Sequence, residues 1–236
     1  MGRLQSKFSA HQIDVLIGSL LGDARLECRS IGVRAPVTAR FRVHHGFKQK
    51  EYVLWKYEIL KNLVLKEPRE ISWTNPKRNL HEVSWYFHTR SFQEFGRLYH
   101  YFYKDKVKIL PDGIFEILNP QMIAVWFMDD GSNNGTTATL STHSFSKEDQ
   151  VRIVDFLKNR FKINTTIVKD RDKWKVSFGE FDFQKLISLI KPYTIPSMSY
   201  KIASPRNDLS VSNRQSENNP IFANTSVPEV ENLEKV

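Results

Sequence analysis

Apolar positions along the chain switch several times between a helical and a strand spacing. Residues 13–21, Ile13-Asp14-Val15-Leu16-Ile17-Gly18-Ser19-Leu20-Leu21, are apolar on nearly every side, and Ser9 precedes them as an N-cap. The pattern predicts a buried helix that ends in Asp23. Gly18 and Gly22 stand four apart on one face of it. Glycine costs about 1 kcal/mol in a helix, so the pair predicts close packing of a second backbone, with Ala124 as a small partner.

Residues 24–45 change to a period of two. Thr38, Arg40, Arg42 and His44 alternate with Ala39, Phe41 and Val43, as Arg25, Glu27 and Arg29 do with Ala24, Leu26 and Cys28. These are half-buried antiparallel strands with a cationic outer face. A helix follows near 47–65, then strands at Glu70–Thr74 and Glu82–Thr89, then an aromatic helix near 91–103.

The second half repeats this order in shorter form. A helix at 119–130 ends in "VWFMDDG", and Asn133-Asn134-Gly135 signals a hairpin returning through Thr136–Ser141. Ser146 caps the next helix, strands follow at 163–169 and 173–178, and a last helix spans 181–191. The expected fold class is α+β, with two pseudo-symmetric αββαββα-type repeats at 1–117 and 118–203. Residues 204–236, rich in Ser, Asn and Pro without periodicity, are expected to be a disordered tail.

Charge narrows the class of partner. The chain of 236 residues carries a formal charge of +9. The three basic and five acidic residues of 204–236 leave 32 against 21, or +11, on residues 1–203. A solvated basic surface would explain this alone, but a polyanionic partner, most often nucleic acid, is the stronger expectation. Cys28 is the only cysteine, which excludes intramolecular disulfides and Cys-based zinc sites. No apolar run is long enough to span a bilayer, so no membrane partner is expected. The start, "MGRLQS", fits a myristoylation pattern without a supporting polybasic cluster, and an early acid, Asp14, argues against a transit peptide.

The chemistry sits at the helix ends. Asp23 and Asp130 close the two apolar helices, 107 residues apart and at the same place in each repeat. A carboxylate at a helix C-terminus opposes the dipole by roughly 0.3–1 kcal/mol, and burial adds to that. A divalent cation shared by the two ends would compensate, and carboxylates with water and phosphate oxygens suit Mg²⁺, with Mn²⁺ as a substitute.

These residues resemble the LAGLIDADG homing endonucleases of the two-repeat monomeric kind, closest to the branch found in the omega intron of yeast mitochondria. The segments that carry the resemblance are Gly18–Ala24, Trp126–Gly131 and Ile195–Lys201, within about residues 9–203. The resemblance implies metal binding by Asp23 and Asp130, with backbone carbonyls of Gly22 or Asp129 in reach. Asp129 occupies the place of Gly22 and is the less expected side-chain ligand. A basic residue near each scissile phosphate falls on Lys108 in "KILP" and Lys201 in "IPSMSYK", although Lys104 and Lys106 share the charge run with Lys108.

The implied function is site-specific, metal-dependent cleavage of both strands of a long asymmetric duplex by a monomer. Cleavage runs across the minor groove and leaves short 3′ overhangs. The host is expected to be an intron, and the location a mitochondrion or chloroplast. Antiparallel ribbons form a saddle over DNA and enter its major groove. Arg25, Arg29, Arg40, Arg42, His44, Lys173 and Lys175 are the expected contacts, and Tyr86 and His88 either join them or cover the sheet edge. The other histidines, His11, His45, His81, His100 and His143, show no pair at metal spacing and read as surface or core, and all five tryptophans read as core. The alternative from another class is an intron RNA-binding maturase, which need not keep both acids. A paired-carboxylate glycosidase explains neither the basic sheet nor the duplicated helix ends.

Overall fold

The structure, a computed structural model, describes residues 7–28, 37–76 and 80–203. Arg29 and the predicted tail at 204–236 lie outside the described residues.

The elements run α1 (Ala10–Leu21), β1 (Arg25–Glu27), β2 (Arg40–Gly46), α2 (Lys50–Leu60), β3 (Arg69–Asn75), β4 (Leu80–His88) and α3 (Gln93–Phe102). A short hairpin, β5 (Tyr103–Lys104) and β6 (Val107–Lys108), and a single helical turn, α4 (Ile114–Ile117), form a connector that the periodicity did not predict. Then come α5 (Pro120–Asp130), β7 (Gly131–Asn133), β8 (Ala138–Leu140), α6 (Lys147–Phe161), β9 (Thr165–Asp170), β10 (Lys173–Phe178) and α7 (Glu180–Ile190).

The duplication is explicit in the sheets. One has the order β1-β2-β4-β3 and the other β7-β8-β10-β9, so first, second, fourth and third strands are neighbours in both. All pairings within them are antiparallel. Each sheet packs its apolar face on helices. Phe41 and Phe95 lie with ring centroids 6.1 Å apart beneath the first, and Phe178 meets Phe127 at 6.3 Å beneath the second.

Local chemistry sets the ends of these elements. Ser9 and Gln12 form a reciprocal capping box at α1, and Ser146 and Asp149 form one at α6. The tight return after β7 uses Gly135 at φ +91, with its N–H donating to the Asn133 side chain at 2.8 Å.

Helices α1 and α5 pack together at the centre of the two repeats. A Cβ on Gly18 would lie 2.6 Å from the Met122 carbonyl oxygen and 2.7 Å from Val125 Cβ. The predicted close approach is present, but Met122 and Val125, not Ala124, stand nearest the glycine. Trp126 is buried in the core as expected. Trp73 is not: it lies on β3, the outer strand of its sheet, and is 45% exposed.

Candidate functional site

Helix α1 ends at Leu21, and its final turns close through Gly22 N–H to the Gly18 carbonyl and Ala24 N–H to the Ser19 carbonyl. Asp23 therefore projects just past the helix end. Asp130 is the last residue of α5. Gly22 lies directly against Asp129, since a Cβ there would come within 2.5 Å of Asp129 Cβ and 2.6 Å of its Oδ2. The equivalent positions of the two repeats thus touch each other, and the carboxylate of one fills the space left by the glycine of the other.

The Asp129 side chain is fully buried and already satisfied. Its Oδ1 accepts from Lys56 Nζ at 2.7 Å, and its Oδ2 accepts from the Asp23 backbone N–H at 3.2 Å. Lys56 is also fully buried, sits 4.2 Å from the centroid of the Tyr52 ring, and reaches His45 Nε2 at 3.3 Å. Burial first, and then the Lys56 cation, push the His45 imidazole down to about 3, so it is neutral. With Lys56 donating to Nε2, the proton of His45 is on Nδ1, which faces Asp23 Oδ2 at 3.5 Å. His45 and Lys56 were not singled out by the sequence patterns, yet both were marked. His45 falls on the inward set of β2, and Lys56 falls in the apolar stripe Tyr52, Lys56, Leu60 of α2. A charge in such a stripe requires a buried partner.

The remaining two acids differ. Among the described residues, the Asp130 carboxylate has no hydrogen bond and no ion pair. Burial, with Asp23 and Asp129 adding, pushes its carboxyl up to about 8. The Asp23 side chain is 46% exposed, and burial together with Asp129 raises it as well. Asp23, His45 and Asp129 do offer ligand atoms within 4.8 Å of one another. The Lys56 ammonium already occupies the Asp129 and His45 side of that group. Carboxylates short of positive charge are therefore Asp23 and Asp130, and this donor set fits a hard divalent cation.

Two lysines complete the centre. Lys108 Nζ donates to the Gly22 carbonyl at 2.7 Å and to the Ala24 carbonyl at 2.9 Å. Lys201, from the Pro196–Lys201 turn, donates to the Asp129 carbonyl at 2.8 Å. Because Gly22 and Asp129 are equivalent, so are the two lysines. Each caps the end of one helix, where a cation complements the dipole. Lys104 and Lys106 of the same charge run are exposed. Burial lowers both Lys108 and Lys201 below the usual lysine range.

The strand faces carry the expected cations in a constrained form. Arg25, Arg40 and Arg42 all converge on Glu27, at 2.7, 2.7 and 3.1 Å. Arg42 also lies 5.1 Å from the Tyr86 ring centroid, and His44 Nε2 is 2.8 Å from Ser84 Oγ. On the second sheet Lys173 is exposed, whereas Lys175 pairs at 2.9 Å with Asp170, whose Oδ2 also lies 3.3 Å from His143 Nε2.

Two apolar helix ends pressed together, each with an acid and a capping lysine and each leading into a cationic antiparallel sheet, match a known pattern. The model of the LAGLIDADG DNA endonuclease family matches residues 13–186. The chain belongs to the LAGLIDADG DNA endonuclease family. It is similar to the DNA endonuclease I-ChuI of Chlamydomonas applanata, 30% identical over 81% of this chain and 94% of that protein. It is also similar to the cytochrome b mRNA maturase bI2 of Debaryomyces hansenii, 28% identical over 81% of this chain and 73% of that one. Among solved structures, the homing endonuclease I-WcaI bound to its DNA recognition sequence shares the fold. That match has a TM-score of 0.76 and 23% identity, covering 84% of this chain and 88% of the other. The chain is accordingly a DNA endonuclease. Among the described residues, no helix is long and apolar enough to cross a membrane.

Proposed function

We propose that the chain is a homing endonuclease that hydrolyses one phosphodiester bond in each strand of a long asymmetric duplex, at a single centre between α1 and α5. The observation that carries this is the pairing of Asp23 with Asp130 beside two equivalent lysines at touching helix ends. The repeats, 1–117 and 118–203, each present one half-site, so a monomer supplies the whole centre.

Asp23 and Asp130 hold the metal, and the carbonyls of Gly22 and Asp129 offer further oxygen donors. Mg²⁺ is the proposed ion, with Mn²⁺ as a substitute; when bound it supplies an activated water and stabilises charge on the phosphate. Lys108 and Lys201 each face one strand, where they orient the attacking water or neutralise the developing phosphate charge. Asp129 serves through its carbonyl and through packing, because its carboxylate is committed to Lys56 and to the Asp23 N–H. Arg25, Arg29, Arg40, Arg42, His44, Lys173 and Lys175 contact the DNA from the saddle, some reading base edges and some only phosphates. The gene belongs to an intron, and the protein works in a mitochondrion or chloroplast.

The test is cleavage-site selection from a randomised duplex library in Mg²⁺. Recovery of one long site, cut on both strands with short 3′ overhangs, supports the proposal. A second reading, an intron RNA maturase, is favoured by the maturase relative. It predicts tight binding to structured intron RNA and no duplex cleavage under the same conditions.

A further inference from the structure

Among the arginines on the cationic face of the first sheet stands an acid, Glu27 of β1. Glu27 lies directly opposite Arg40, and Arg25 lies opposite Arg42, in the β1–β2 register. Both Arg25 Nε and Nη2 donate to Glu27 Oε1, at 2.9 and 2.7 Å, and Arg42 Nη1 donates to the same oxygen at 3.1 Å. Arg40 Nε and Nη2 take the other oxygen, Oε2, at 2.9 and 2.7 Å. A carboxylate has about four lone-pair sites, and here four N–H groups donate to it while Arg40 Nη2 lies in ion-pair contact. Burial raises the Glu27 carboxyl, but the hydrogen bonds from Arg25, Arg40 and Arg42 outweigh it and hold the group at about 2, so it is ionised throughout any working range. Arg42 is drawn in so far that its Nε is buried without a hydrogen-bond partner. Such an orphan donor is unfavourable and persists only where the rest of the side chain is firmly held.

Three adjacent guanidinium groups without an acid would repel one another and spread toward phosphates. Phosphate contacts raise affinity without sequence information. Base-edge readout instead requires a guanidinium plane held at a fixed angle. Each of these arginines keeps N–H donors that Glu27 does not use.

We infer that Glu27 is a specificity-determining positioning residue of this endonuclease: its carboxylate fixes Arg25, Arg40 and Arg42 for base readout and withholds them from indiscriminate phosphate contact. This rests on the proposed DNA contacts of the first sheet. Glu27 acts through the arginines and needs no contact of its own with DNA.

The experiment compares two duplexes of equal length, the site selected by the wild-type enzyme and a scrambled one, in EDTA so that nothing is cut. Glu27→Gln keeps the size of the side chain and removes its charge. It should tighten binding to the scrambled duplex roughly three- to tenfold at low salt and steepen the log–log salt dependence by about 0.9 for each phosphate newly contacted. Repeating the library selection with this variant should relax preference in one half-site and leave the other unchanged. Glu27→Asp keeps the charge and withdraws the carboxylate by one methylene. Its salt slope should match the wild type while the same half-site still loses preference, and this holds the test open should Glu27→Gln fold poorly.

Wild-type salt slope and wild-type site preference in Glu27→Gln would overturn the inference. Arg40→Ala and Arg42→Ala separate the two levels. If neither weakens duplex binding, the DNA-contacting role of the sheet fails. If both weaken it and the Glu27 variants change nothing, only the role of Glu27 fails.

Discussion

Gly22 of the first repeat packs on Asp129 of the second so closely that a Cβ on the glycine would lie 2.5 Å from Asp129 Cβ. The motif "MDDG" carries two acids and "LLGDA" one because one carboxylate and one hydrogen atom fill the same shared space. Gly22→Ala must therefore displace backbone or Asp129. The expected loss is about 1–3 kcal/mol of stability, the usual range for overpacking a close contact. Equilibrium denaturation in urea measures it, with an unchanged m-value if the fold is kept.

Lys56 and Asp129 form a fully buried ion pair 2.7 Å apart. Removing one partner leaves the other charged and without compensation. Lys56→Met is expected to destabilise by roughly 3–5 kcal/mol. Lys56→Met combined with Asp129→Asn should recover part of this, because the stranded charge is gone. A double-mutant cycle by chemical denaturation reads the coupling.

Lys108 and Lys201 occupy equivalent positions at the two helix ends, each on a C-terminal carbonyl. Replacing either with Met should slow one strand far more than the other, by about 10²-fold or more if the lysine assists proton transfer or phosphate neutralisation. The expected product is nicked duplex, with opposite strands nicked by the two variants. Denaturing gels with each strand labelled separately distinguish the two. Equal slowing of both strands would mean that the lysines do not divide the strands between them.

The pH dependence of stability follows from Glu27, whose carboxyl is held at about 2 against an ordinary 4.5. The folded state holds this proton less tightly than the unfolded state. Its contribution is therefore present above about pH 4.5 and is lost as pH falls through about 2. Wild type should be more stable than Glu27→Gln at pH 6, and the gap should narrow across that window. Denaturant midpoints at pH 6, 4 and 2.5 check the sign.

Much of this architecture was legible in the sequence because its physical causes are local. The continuous apolar run of α1 announced a buried helix, and the alternation of Arg40 and Arg42 with Phe41 and Val43 fixed the faces of β2. The equivalence of Asp23 and Asp130 came from the repeated order of elements and from the Asp that closes the apolar helix opening each repeat. What stayed hidden depends on contacts between distant residues. Lys56 meets Asp129 from 73 positions away, and Arg25, Arg40 and Arg42 meet Glu27 only through strand register. The arginines read as a free cationic row, when three of them share an acid. Periodicity also failed for Trp73, which the register places on the outer face with Tyr86 and Arg42, on a strand at the sheet edge. Lys108 could not be separated from Lys104 and Lys106 by charge, and only the two-residue strand β6 turns it inward.

The central claim is that Asp23 and Asp130 together hold the metal that cuts both strands. It is tested most directly by Asp23→Asn and Asp130→Asn on the selected duplex, with cleavage rate in Mg²⁺ and binding in EDTA measured side by side. Loss of at least about 100-fold in cleavage of both strands, roughly 2.7 kcal/mol of barrier, with DNA binding kept, is the predicted result. Cleavage by either variant at the wild-type rate in Mg²⁺ would contradict it.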